Sequence, residues 1–143
     1  MPQSYRAPPA ADTAVLQAIY AAINRNDIPA AVQYFDPEIV RLEPAGFPTA
    51  GTYRGLVEMQ THLSQGRGTW AEGTCAPEQF IAAGDKIVVF LHVYVRLKNR
   101  DDWIDARFAD GFVLRNGKAV LMQTFATRPE ALAWAGLDAA DAG

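Results

Sequence analysis

The stretch Asp105-Ala106-Arg107-Phe108-Ala109-Asp110-Gly111-Phe112-Val113-Leu114-Arg115-Asn116-Gly117-Lys118 decides the fold. Asn-Gly between two apolar-rich runs is the strongest short hairpin signal a sequence carries. Strands are therefore expected over Asp105 to Arg115 and Lys118 to Thr127. Side chains alternate along a strand, so Asp110 shares a face with Ala106, Phe108, Phe112 and Leu114. That face is otherwise apolar. A carboxylate there must find a partner, hold a proton or do chemistry.

Working outward, Lys86 to Leu97 reads as a long strand, joined to Glu78–Ala82 by the turn Ala83-Gly84-Asp85. Thr69 to Cys75 is ambiguous. Upstream the period changes to helical. Val15, Leu16, Ile19, Tyr20 and Ile23 form one stripe, giving a helix capped by Asp12 or Thr13 and ending near Asn24. Asp27 caps a short second helix that Asp36-Pro37 should end. Ile39 to Glu43 reads as a strand and Pro44 to Gly51 as a loop. Tyr53-Arg54-Gly55 leads into a third helix over Leu56 to about Ser64, with Leu56, Met59 and Leu63 inward and His62 exposed. Gln65-Gly66-Arg67-Gly68 should stop it. Pro129 to Trp134 is a last short helix. Helices followed by an antiparallel meander indicate α+β. A curved sheet around helices would enclose a pocket. The organisation expected is an irregular arm over 1–11, a single domain over 12–137 and a tail over 138–143.

The chain has 143 residues, half of them hydrophobic, and a formal charge of −3. That is one domain's worth of core. No basic run is present, so no nucleic-acid partner is expected. The only cysteine, Cys75, cannot form an internal disulfide, and His62 and His92 lie far apart, so no metal site is expected. No apolar run is long enough to span a bilayer, and the N-terminus lacks a secretory pattern. A soluble cytoplasmic protein is the default expectation.

In its order of elements the chain resembles the NTF2-like superfamily, and within it the ketosteroid-isomerase-like and SnoaL-like (polyketide cyclase) proteins. The resemblance covers roughly residues 12 to 127. It rests on the first helix, Asn26-Asp27-Ile28, Phe35, the strand, Tyr53-Arg54-Gly55, Ala83-Gly84-Asp85-Lys86 and Asn116-Gly117-Lys118. It implies a cone: a strongly curved antiparallel sheet wrapped around N-terminal helices, commonly a homodimer.

Ketosteroid isomerases place a general-base carboxylate before Pro-x-Gly at the end of the first strand. Glu43-Pro44-Ala45-Gly46 fits, with Glu in place of Asp. They place a protonated carboxylate in the strand before the last hairpin, where Asp110 matches; SnoaL-like cyclases use an acid–base aspartate in much the same place. The isomerases' tyrosine donor on the first helix corresponds to Ile19 here, with Tyr20 adjacent.

The catalytic candidates are therefore Asp110, Glu43, His92 and Tyr20. His92 is the expected partner of Asp110, because Arg107 lies on the opposite face of its own strand. Phe90, Tyr94, Phe108, Phe112, Met122, Thr124, Tyr53 and Trp70 are the candidates for binding substrate. Met122, Thr124 and Ala126 alternate on one face of the last strand, the face that lines the cavity in the family. The expected activity is proton abstraction next to a carbonyl in a small, mostly apolar compound, leading to isomerisation or cyclisation. No organic cofactor is implied, since no glycine-rich phosphate loop is present. A non-catalytic ligand-binding or dimerisation module is the alternative. Epoxide hydrolysis, with Asp105 and Arg107 as the further pair, is a third.

Overall fold

The computed structural model describes residues 5–138. The ends of the expected arm and tail, residues 1–4 and 139–143, lie outside the described residues. The elements in order are α1 (Ala10–Asn24), α2 (Ile28–Val32), β1 (Phe35–Glu43), β2 (Gly51–Arg54), α3 (Gly55–Gly68), β3 (Trp70–Ala83), β4 (Lys86–Leu97), β5 (Trp103–Arg115), β6 (Lys118–Phe125) and α4 (Arg128–Trp134). One curved, unclosed sheet carries the strands in the order β2-β1-β6-β5-β4-β3. Every neighbouring pair is antiparallel except β1 and β6, which run parallel.

The α+β expectation holds, and β4 runs over the expected residues. At the closing hairpin, Asn116 and Gly117 both have positive φ, 54° and 78°, as a two-residue hairpin turn requires.

Several boundaries differ, each for a physical reason. Helix α1 begins at Ala10, ahead of Asp12: Pro9 takes the N-cap position, and Asp12 sits in the first turn, where a negative charge suits the helix dipole. Asp27 caps α2 as expected, accepting from the Ala30 amide at 3.2 Å. That helix ends at Val32, and Asp36-Pro37 belongs to β1. Proline fits there because the β1–β6 ladder is interrupted between Phe35 and Val40, where no ladder donor is needed. Strand β2 lies within the segment expected as loop and helix lead-in; it is four residues long and paired only with β1. Helix α3 runs through Gly66 and Gly68 to its end. Tertiary contact overrides glycine's poor propensity: Arg67 Nε and Nη2 donate to the Ile23 and Asn24 carbonyls at 2.9 and 3.2 Å, tying the last turn of α3 to the end of α1. Strand β3 continues through Pro77, tolerated on an edge strand at a register shift.

The sheet has an occupied face on each side. Inside, Leu16, Ile19, Ile39, Met59, Val89, Leu91 and Phe112 form the main core under α1, α2 and α3. Outside, α4 covers a smaller cluster of Val88, Phe90, Ala109, Phe125 and Leu132. Gly111 makes that second contact possible: a Cβ on it would stand 2.5–2.9 Å from the Trp134 ring. Gly111→Ala should therefore lift α4 off the sheet and cost about 1–3 kcal/mol of stability, read as a lower urea midpoint at unchanged slope; an unchanged midpoint would refute this packing.

Candidate active site

Strands β1, β6 and β5 build the polar wall. Arg41 pairs with Met122 and Leu42 with Gln123, so Glu43 comes level with Thr124, which in turn pairs with Asp110. Glu43, Thr124 and Asp110 thus form one row across three strands on the concave face. At ordinary strand spacing the outer two backbones are roughly 10 Å apart. This row opens on a cavity of about 470 Å³, a size that suits a small organic ligand. Tyr20, Arg41, Glu43, His62, Cys75, Asp110 and Thr124 line it together with Phe47, Leu63, Trp70, Phe108, Met122 and Ala126.

Asp110 is 2 % exposed. Tyr20 Oη donates to its Oδ2 at 2.5 Å and Thr124 Oγ1 donates to its Oδ1 at 2.6 Å. Burial pushes the carboxyl up from its ordinary value, and the Glu43 charge adds to this; Arg41, Thr124 and Tyr20 pull the other way without prevailing. The Tyr20 phenol is itself held well above its ordinary value, first by burial and then by Asp110. It stays a neutral donor. A protonated Asp110 carries one O–H, so one of its two contacts must reverse: the carboxyl then donates to the Tyr20 or Thr124 oxygen. That hydroxyl's own hydrogen is released toward the cavity.

Glu43 is placed differently. Arg41 Nη2 donates to its Oε2 at 3.1 Å, His62 Nε2 lies 3.2 Å from the same oxygen, and Thr49 Oγ1 donates to Oε1 at 2.9 Å. Burial pulls this carboxyl up, but His62, Arg41 and Thr49 together outweigh it and the net direction is down. A carboxylate has about four acceptor positions, so three donors leave one. Arg41 is 6 % exposed, and its Nη1 also donates to the Leu42 carbonyl at 2.7 Å. Burial first, then Asp110, pushes the Cys75 thiol up, so it stays an unreactive thiol.

Asp110, Glu43 and Tyr20 thus meet in one cavity. On the first helix it is Tyr20, and not Ile19, whose side chain reaches Asp110. His92 does not join them. Asp110 pairs with Val89 and His92 with Arg107, which puts His92 on the convex face, 2.6 Å from Asp105. The cross-strand register, invisible within β4 alone, decides this. The same parity removes Phe90 and Tyr94 from the substrate-binding set. Phe90 packs under α4, with Arg128 over its ring at 4.5 Å. Tyr94 stacks on Trp103 at 4.6 Å. Phe112 shares the face of Asp110 but lies wholly buried, edge-on to Tyr20 at 6.2 Å, behind the cavity wall. Phe108, Met122, Thr124 and Trp70 line the cavity. The Tyr53 ring lies tilted against His62 at 4.0 Å and its hydroxyl donates to the Thr49 carbonyl at 2.7 Å, so it supports the wall without lining it.

His62, expected outside, is 3 % exposed. It lies three residues from Met59 and beside Leu63, on the same helix face, so the spacing held the signal. Arg41 was equally legible: it alternates with Ile39 and Glu43 as Asp110 does with its neighbours. Among the described residues no group of three His, Cys, Asp or Glu side chains is placed to hold a metal.

The SnoaL-like domain family matches residues 16–122, three quarters of the chain. No curated protein matches it. Among solved structures, the chain is similar to TerC co-crystallised with polyporic acid, at 24% identity and TM-score 0.73, covering 90% of this chain and 98% of that one. It is similar to an NTF2-like protein from Burkholderia thailandensis, at 27% identity and TM-score 0.71, covering 87% and 96%. A protein with ketosteroid isomerase-like fold from Catenulispora acidiphila, in complex with trimethylamine, shares 16% identity at TM-score 0.72, covering 95% and 98%.

The opposite directions of the two carboxyls give a signed pH dependence. Asp110 is raised in the folded state, so the native protein binds its proton more tightly than the unfolded chain does. That contribution is complete below the ordinary aspartate value and is lost as pH rises through the folded value. Glu43 is lowered, so its contribution is complete above the ordinary glutamate value and is lost on acidification. Asp110→Asn should therefore look worst against the parent at low pH and gain on it as pH rises from 4 to 8. Thermal melts of both proteins across that range check this; a stability gap that widens with pH would mean that Asp110 is held ionised.

Proposed function

We propose that this chain, which belongs to the SnoaL-like domain family, transfers a proton at a carbon next to a carbonyl in a small, mostly apolar compound. The observation that carries this reading is the pair of carboxyls on one cavity wall whose environments drive them apart, Glu43 toward the ionised form and Asp110 toward the neutral one. Such a division assigns a base and an acid.

Glu43, ionised, takes the proton from the carbon. The electron pair of that C–H bond moves into the new C=C bond and the carbonyl π pair moves onto oxygen. Neutral Asp110, through its own O–H or the hydroxyl of Tyr20 or Thr124, donates to that oxygen as charge develops. Isomerisation returns the proton from Glu43 to a different carbon. In cyclisation the enolate carbon instead bonds to the carbon of a second carbonyl, the first carbonyl re-forms, and the resulting alkoxide takes the proton held by Glu43. Arg41 keeps the base charged, and when Glu43 takes up the proton the Arg41 cation keeps the Leu42 and Met122 carbonyls as acceptors at 2.7 and 3.5 Å. The small molecules bound by TerC and by the Catenulispora protein support a cavity of this fold taking ligands.

Deuterium exchange tests the chemistry without knowledge of the substrate. With 2-tetralone in D2O, proton NMR should show catalysed loss of the α-hydrogen signal. Glu43→Gln should slow it by about 10²-fold or more. Asp110→Asn should slow it by a similar factor and weaken binding of 2-naphthol, which resembles the enolate. A Glu43→Gln protein that keeps most of the rate removes Glu43 as the base. The three donors already on Glu43 favour a second reading, a non-catalytic binding module; 2-naphthol bound tightly with no exchange in the parent protein would establish it.

The homodimer reading belongs to the convex face. Helix α4 covers Val88 and Phe90 there, while Tyr94 and Trp103 remain 45 % and 39 % exposed as a stacked pair. A second copy covering that pair would bury it. Sedimentation at micromolar concentration should show a dimer that Trp103→Lys dissociates; a monomeric parent protein overturns this.

A further inference from the structure

We infer that the ligand carries an anionic group, a carboxylate or an ionised acidic hydroxyl, and that Arg67 at the cavity mouth receives it while the ligand's carbonyl end points to Asp110. This rests on the reading of the cavity as a ligand site and adds the ligand's charge and orientation.

The cavity has a closed end and an open one. Tyr20, Asp110 and Thr124 are 2–4 % exposed. At the other end, Arg67 and Trp70 are half-buried and Ile104 is 38 % exposed. Of the three arginines that line the cavity, Arg67 is the one with no carboxylate partner among the described residues. Arg41 is held by Glu43 at 3.1 Å. Arg107 donates to Glu78 Oε1 at 3.3 Å, an oxygen that Arg128 also holds at 2.7 Å. Asp110 is driven toward its neutral form. Among the described residues no carboxylate lies within ion-pair distance of Arg67.

Arg67 is nonetheless firmly placed. Nε and Nη2 donate to two carbonyls at the end of α1, and the guanidinium lies 4.8 Å from the Trp70 ring centre. Two of its five N–H groups are thus used and three are left over. An arginine anchored by backbone and stacked on an indole loses little side-chain freedom when an anion arrives, and its charge is not cancelled beforehand. The Trp70 face beside it offers a stacking surface for an unsaturated ligand body. The polar ends of such a ligand are then matched: a charge-assisted contact at the rim, and neutral hydrogen-bond donors facing a carbonyl or enolate oxygen at the closed end.

The test uses three probes of one shape: 6-acetyl-2-naphthoic acid, its methyl ester and 2-acetonaphthone, titrated by naphthalene fluorescence at low salt. The acid should bind about tenfold or more tightly than the ester, and the advantage should shrink as salt rises. In Arg67→Gln the acid-to-ester ratio should fall to about one, while Arg67→Lys keeps part of it. The ratio is taken within each variant, so any loss of folded protein cancels. Equal affinity of acid and ester in the parent overturns the inference. So does a preference that survives Arg67→Gln, which would place the anion at Arg41 or Arg107 instead. Binding by no probe overturns it together with the reading of the cavity. Acid preference without exchange of the acetyl protons sinks only the proton-transfer reading and leaves the anion subsite standing.

Discussion

A carboxyl group with almost no access to water is the constraint around which this structure is arranged. Asp110 sits in the middle of a strand whose concave face is otherwise built from carbon. An ionised group there is costly unless it is fully paired. Two hydroxyls, Tyr20 from α1 and Thr124 from β6, meet its two oxygens. That requirement fixes how α1 sits on the sheet and the register between β5 and β6. Hydroxyls are a particular choice of partner. Each can donate to a carboxylate or accept from a carboxylic acid, so the trio remains hydrogen-bonded in either protonation state. A lysine or arginine in direct contact would have locked the ionised form.

The fold was legible where one element's own pattern suffices. The helical stripe Leu16, Ile19, Tyr20 and the alternation around Asp110 survive intact, because periodicity reports the face an element buries. The Asn116-Gly117 turn reports a backbone geometry that few other pairs tolerate. Site residues on those patterns, Asp110 and Tyr20, were found for the same reason. What failed was information held between elements. In sequence His92 and Asp110 each alternate with apolar residues, but the two faces are opposite sides of one sheet. Only the pairing of Asp110 with Val89 tells them apart, and a one-residue change of register reverses every such assignment.

The omission of Arg41 and His62 has a different cause. His62 was set off the Leu56, Met59 and Leu63 face and so read as exposed, and Arg41 was passed over because a basic side chain seldom points into a core. Here they point in because Glu43 does. Three polar groups that would each be expensive to bury alone become tolerable as a bonded set, and the loop carrying Thr49 adds a further donor. Parallel pairing of β1 with β6 then brings this set beside Asp110, a placement that adjacent hairpins could not have suggested.

The two carboxyls also share a cation. The Arg41 charge lowers Glu43 and Asp110 alike, so it cannot by itself make one an acid and the other a base. The difference comes from what else each carboxyl touches. Glu43 has His62 and Thr49 as further donors in addition to the direct Arg41 contact, enough to overcome its burial. Asp110 has only two hydroxyls against nearly complete burial, together with the charge of Glu43 acting on it through a low-dielectric interior. Ionising Glu43 therefore helps to keep Asp110 neutral, and a base that has taken up a proton makes the acid opposite easier to ionise. Proton gain at one end of the row favours proton loss at the other, which is the coupling that moving a proton from carbon to oxygen across one small cavity requires.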